Sequence, residues 1–134
     1  MVTMKKRERV WTAVLLFVVV ALTGFGSAAS ERISFDKGAS STTFTAPLGE
    51  GHDYVLGAKA GQTLTVSLQG PSGVYFNVLP PRSQDALVNT SVTGDAHWTS
   101  VVPQDGDYTV RVYQMRAAAR QGKNPTFTIT LAVR

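Results

Sequence analysis

Thr126-Phe127-Thr128-Ile129-Thr130-Leu131-Ala132-Val133 stands just before the last residue, Arg134, and its alternation decides the fold class. Phe127, Ile129, Leu131 and Val133 fall on one side of an extended backbone, and Thr126, Thr128 and Thr130 fall on the other. Period two over eight residues is a half-buried strand, and threonine and β-branched residues suit its pleated surface. The same pattern recurs upstream. Leu64, Val66 and Leu68 alternate with Thr63, Thr65 and Ser67, and Tyr108, Val110 and Val112 alternate with Thr109, Arg111 and Tyr113. Weaker strand signals cover 32–35, 42–46, 54–58, 74–79 and 97–101. Turn residues separate them at Asp36-Lys37-Gly38, Gly49-Glu50-Gly51, Ala60-Gly61, Gly70-Pro71-Ser72-Gly73, Pro80-Pro81 and Asp105-Gly106. The expectation is an all-β antiparallel sandwich of about eight short strands, with a closed barrel as the alternative.

One connection breaks the pattern. Gln114-Met115-Arg116-Ala117-Ala118-Ala119-Arg120 joins two strong strands and is too long for a tight hairpin. Alanine and arginine favour helix, and Gly122 and Asn124-Pro125 stop it. A protruding loop with one short helical turn is predicted before the last strand, with Arg116 and Arg120 on one face of it.

The other end of the chain is not part of this domain. Lys5, Lys6, Arg7 and Arg9 precede an apolar run from Trp11 to Leu22, and Gly26-Ser27-Ala28-Ala29 follows. A basic start, a short apolar core and small residues describe a secretory signal, and the apolar run is shorter than a membrane-spanning helix requires. Residues 1–29 are read as a signal peptide cleaved after Ala29, and residues 30–134 as one domain.

That division changes the charge. The chain of 134 residues carries +4, but residues 1–29 hold four of its thirteen bases and one of its nine acids, so residues 30–134 carry +1. A nearly neutral domain gives no argument for nucleic acid. The remaining charge is polarised: Arg111, Arg116, Arg120, Lys123 and Arg134 end the chain without an intervening acid. The absence of cysteine excludes disulfides, thiolate metal sites and a cysteine nucleophile.

Catalytic signals are weak. His52 and His97 lack metal-ligand spacing, and no cofactor or metal is expected. Ser72 lies in Gly-Pro-Ser-Gly, a turn rather than a nucleophile elbow. Asn89-Thr90-Ser91 has the form of a glycosylation sequon and reads as an ordinary loop. No nucleophile and base set stands out, so a binding protein is expected rather than an enzyme. Arg116, Arg120 and Lys123 on one long loop suit an acidic partner, although a solvated loop is the usual fate of such charges. Tyr108, just inside its strand, is suited to a tyrosine corner.

The order of several short pieces is similar to a known family. Ile33-x-Phe35-x-Lys37-Gly38 comes first, then Ala58-Lys59-x-Gly61-Gln62, then Gly106-x-Tyr108. Arg111-Val112-x-Gln114-x-Arg116 with Ala119-Arg120 is the most specific piece. In these positions the chain resembles the bacterial periplasmic inhibitors of g-type lysozyme. The resemblance implies a periplasmic β-sandwich that blocks a lysozyme cleft and protects peptidoglycan. It implies partner contacts from Asp105, Gly106, Tyr108, Gln114, Arg116, Arg120 and Lys123. The chain departs from the family at Asp105, where the family carries serine, and two acids, Asp105 and Asp107, would need compensation from Arg116 or Arg120. The competing reading is a secreted sandwich module for glycan or protein, similar to pre-peptidase C-terminal domains, with Trp98 or Tyr75 as its aromatic platform.

Overall fold

The structure is a computed structural model that describes residues 29–35 and 40–134. The expected signal, apart from Ala29, lies outside the described residues, as does the turn at Asp36-Lys37-Gly38. Among the described residues nine strands form: β1 (Ala29–Arg32), β2 (Ser41–Pro47), β3 (His52–Ala58), β4 (Thr63–Gln69), β5 (Val74–Leu79), β6 (Val88–Asn89), β7 (His97–Val101), β8 (Gly106–Gln114) and β9 (Thr126–Val133). Two short helices join them, α1 (Thr90–Thr93) and α2 (Arg116–Arg120). The strands make a five-stranded sheet in the order β1-β3-β8-β5-β6 and a four-stranded sheet in the order β2-β9-β4-β7.

The alternation read from sequence becomes the core. Phe127, Ile129 and Leu131 of β9, Leu64 and Val66 of β4, and Tyr108, Val110 and Val112 of β8 are buried between the sheets. Each such side chain stabilises the fold by ~1.5–3 kcal/mol relative to exposure. The outward threonines pair across strands, Thr43 with Thr130 at 3.0 Å and Thr45 with Thr128 at 2.9 Å. Tyr54 lies at the centre of an aromatic stack, 5.1 Å from Phe44 and 4.6 Å from His52 between ring centroids. Burial pushes its hydroxyl pKa up, and the charge of Glu31 adds to the shift.

Two features differ from expectation. β1 occupies Ala29–Arg32 rather than 32–35, and it pairs with β3 in parallel. The chain reaches β3 through β2, which belongs to the other sheet, and a crossover of that kind returns the chain in the same direction. The second is at 88–93. Asn89 accepts a hydrogen bond from the Ser91 amide and caps α1, and the Thr90 hydroxyl accepts from the Phe76 amide inside the fold. The sequon residues are therefore a helix start rather than a plain loop.

The antiparallel register fixes two ends of the sandwich. At one end lie the segment 115–125 between β8 and β9, the turn Leu48–Gly51 between β2 and β3, and the turn 70–73 between β4 and β5. At the other lie the turn 59–62, the turn 102–105 and the loop 80–87.

Candidate functional site

Strand β8 carries the sequence-predicted residues, and it separates them. Gly106 begins it and Gln114 ends it. Eight steps at a strand rise of about 3.4 Å put roughly 27 Å between the Asp105 turn and the basic loop. The two clusters stand at opposite ends of the sandwich.

At the Asp105 end the residues are occupied in holding the fold. The Asp105 carboxylate accepts from the Ala60 amide at 2.7 Å and ties two turns together. Gly106 has φ of 139°, and a Cβ there would meet Pro81 at 2.8 Å, so only glycine fits. Tyr108 is wholly buried. Its hydroxyl donates to the Gln104 carbonyl at 2.6 Å and accepts from the Gln104 amide at 3.2 Å, which is a tyrosine corner. Burial and these two bonds give Tyr108 a supporting role in the fold. Asp107 does not need Arg116 or Arg120 either. Arg32 donates to both of its carboxylate oxygens at 2.9 Å. That hydrogen bonding holds the Asp107 carboxyl below its ordinary pKa and raises that of Arg32.

At the other end, the predicted helical turn is present as α2. Gly122, with φ of 73°, ends it in a left-handed conformation that suits glycine. Arg116, Arg120 and Lys123 are exposed and form no ion pair among the described residues. The loop that carries them is tied down. Gln114 donates from Nε2 to the Lys123 carbonyl at 2.9 Å and closes its neck. The Leu48 amide donates to the Pro125 carbonyl at 2.9 Å, and the Gly49 amide donates to Asn124 Oδ1 at 2.7 Å. The Met115 amide reaches the Gly73 carbonyl at 3.3 Å. Three cations are thus presented on a long loop bonded to both neighbouring turns.

Sequence reading missed Asn124 as part of this surface. Asn124-Pro125 was legible as a helix stop, but the partner of its side chain lies 75 residues away in the chain. Trp98 and Tyr75, the alternative aromatic platforms, differ in placement. Trp98 packs against the core, and Tyr75 is half-buried on the outer face beside Tyr113, with ring centroids 6.1 Å apart. His52 packs on Tyr54 within 3.6 Å of Glu31, and His97 bonds to Ser67 at 2.6 Å. Among the described residues no group of His, Asp or Glu could hold a metal ion.

No family profile matches the chain. Over 96% of its length it is 28% identical to an inhibitor of g-type lysozyme from Escherichia coli, of which it covers 99%. Among solved structures it is similar to a periplasmic lysozyme inhibitor of g-type lysozyme from Aeromonas hydrophila, with TM-score 0.74 and 33% identity over 81% of this chain and 98% of that one. A pre-peptidase C-terminal domain of a Bacillus anthracis collagenase, at TM-score 0.56 and 16% identity, shares the fold alone. The identity to the Aeromonas protein over nearly all of its length, on the same sandwich, places this chain in the family of periplasmic inhibitors of g-type lysozyme.

Proposed function

We propose that the protein acts in the periplasm as an inhibitor of g-type lysozyme and that it meets the enzyme with the loop end of the sandwich. It is a binding protein whose partner is a lysozyme, not an enzyme itself. The observation that carries this reading is the 33% identity, over 98% of its length, to a periplasmic inhibitor of g-type lysozyme. Cleavage after Ala29 belongs to the same reading, and it leaves Ser30–Arg32 to pair with β3.

The finer mechanism rests on charge and rigidity. A lysozyme cleft holds catalytic carboxyl groups in a groove shaped for sugar. Arg116 and Arg120, four apart on α2, can offer planar forks to a carboxylate, and Lys123 adds a third cation. Hydrogen bonds to the turns at Leu48–Gly51 and Gly73 fix the loop before binding, which lowers the entropy cost of association. The turn beside the basic loop is therefore Leu48–Gly51, and the Asp105 turn has no part in the contact.

The test is inhibition of cell-wall lysis by g-type, c-type and i-type lysozymes, using protein secreted from the full-length gene and checked by mass for Ser30 as its first residue. Selective inhibition of the g-type enzyme is expected. Arg116→Ala and Arg120→Ala should each weaken it at least ~10-fold, as loss of a buried charged anchor does. Asp105→Ala should leave the inhibition constant unchanged. Equal inhibition by all three variants would remove the loop mechanism, and no inhibition of any lysozyme class would remove the function.

A further inference from the structure

The outer face of the five-stranded sheet holds a groove of about 420 Å³ that the inhibitory reading does not use. Its floor is Val55, Thr109 and Leu79, which stand side by side on β3, β8 and β5. Asp53 and Arg111 form one wall, and Asp107 stands at the other, held by Arg32. The third side is the loop after β5, with Arg82 at its rim.

The polar walls are preorganised. Arg111 donates from Nε and Nη2 to the two oxygens of Asp53 at 3.0 and 3.1 Å, and Arg32 holds Asp107 in the same two-pronged way. A two-pronged pair fixes both planes and still leaves outward lone pairs and a free guanidinium edge. Each wall therefore offers acceptors and donors a few ångströms apart. Beyond Arg111 on the same face of β8 is Tyr113, beside Tyr75. A volume in this range suits a small ligand rather than a protein surface. Alternating donors and acceptors over a partly apolar floor match the hydroxyls and C–H faces of a sugar ring.

Charge narrows the choice. Asp53 is neutralised by Arg111 and Asp107 by Arg32, so among the described residues Arg82 is the one uncompensated charge on the groove lining. Arg82 is exposed and has φ of 55°, the left-handed region that a non-glycine residue seldom takes. We infer that this groove is a binding site for an oligosaccharide bearing a carboxylate, with Arg82 pairing the acid and the two Arg–Asp pairs holding the ring hydroxyls. The site is separate from the basic loop, and the inference does not rest on lysozyme inhibition.

The test is an NMR titration of the secreted protein with three tetrasaccharides. One is neutral N-acetylglucosamine, one alternates N-acetylglucosamine with glucuronate, and one is a cell-wall tetrasaccharide bearing lactyl carboxylates. Amide shifts at Val55, Thr109 and Arg111 with either acidic sugar are expected, with the responding sugar identifying the source of the carboxylate. Arg82→Asn removes the charge and keeps a residue that tolerates the left-handed conformation, and it should weaken acidic-sugar binding at least tenfold. Thr109→Phe fills the groove at an outward strand position, and it should abolish the shifts while leaving lysozyme inhibition intact. No shifts with any sugar, or equal affinity for the neutral sugar, would overturn the assignment. Undiminished binding by Arg82→Asn would do so too, even if Thr109→Phe failed to fold.

Discussion

Tyr108 shows how a residue in a recognition motif can serve the fold. Its hydroxyl satisfies both polar groups of the Gln104 backbone. Tyr108→Phe removes both bonds and should cost about 1–2 kcal/mol in urea unfolding, with the lysozyme inhibition constant unchanged. A variant of full stability would contradict the corner. Asp107 carries a pH signature. Arg32 lowers its folded pKa, so the pair stabilises the protein above the unfolded value of about 3.9 and the contribution is lost as pH falls through the folded value. Both side chains are largely exposed, so the effect is small. Thermal melts of Asp107→Asn and the parent should differ at neutral pH and converge below about pH 4. A gap that persists unchanged into acid would refute the linkage. Tyr108 was legible as a corner from its place inside a strand. The Arg32 pairing of Asp107 was not, because the two are 75 residues apart.

The element that organises the molecule is β8, flanked by β3 and β5 in the centre of its sheet. Its inward residues Tyr108, Val110 and Val112 build the core, and its outward residues Thr109 and Arg111 line the groove. The loop that follows owes its shape to bonds with other elements. Five residues of α2 are too few for an isolated helix, and Met115 supplies no side-chain cap. Tertiary ties from Gln114, Asn124 and Pro125 must hold it. Asn124→Ala frees the Gly49 amide and loosens the loop from the Leu48–Gly51 turn. Inhibition should weaken roughly three- to tenfold, the equivalent of ordering about one more side chain on binding. The core is untouched, so the melting temperature should shift little. A large fall in melting temperature with unchanged inhibition would reverse this assignment, making Asn124 structural and not preorganising.

At the scale of the whole molecule, the sandwich keeps two surfaces apart. Three exposed cations stand at the loop end, while Asp105, Gly106 and Tyr108 knit the other end together. Seven of the nine strands, their inward faces and the short helix before β9 could be read from the chain. They depend on local properties: the period of apolar residues, turn chemistry and helix propensity. The basic loop was legible for the same reason, because its charges are close in sequence. The division between the two ends of β8 required the tertiary structure. Gly106 and Gln114 are neighbours on one short segment, but an extended strand carries them roughly 27 Å apart. Sequence proximity had grouped residues that the fold sets at opposite ends of one strand. The parallel pairing of β1, the Asn124 tie and the groove under Arg82 also depended on long-range pairing. Each joins residues distant in the chain, and no local pattern records which distant segment a strand or side chain will meet.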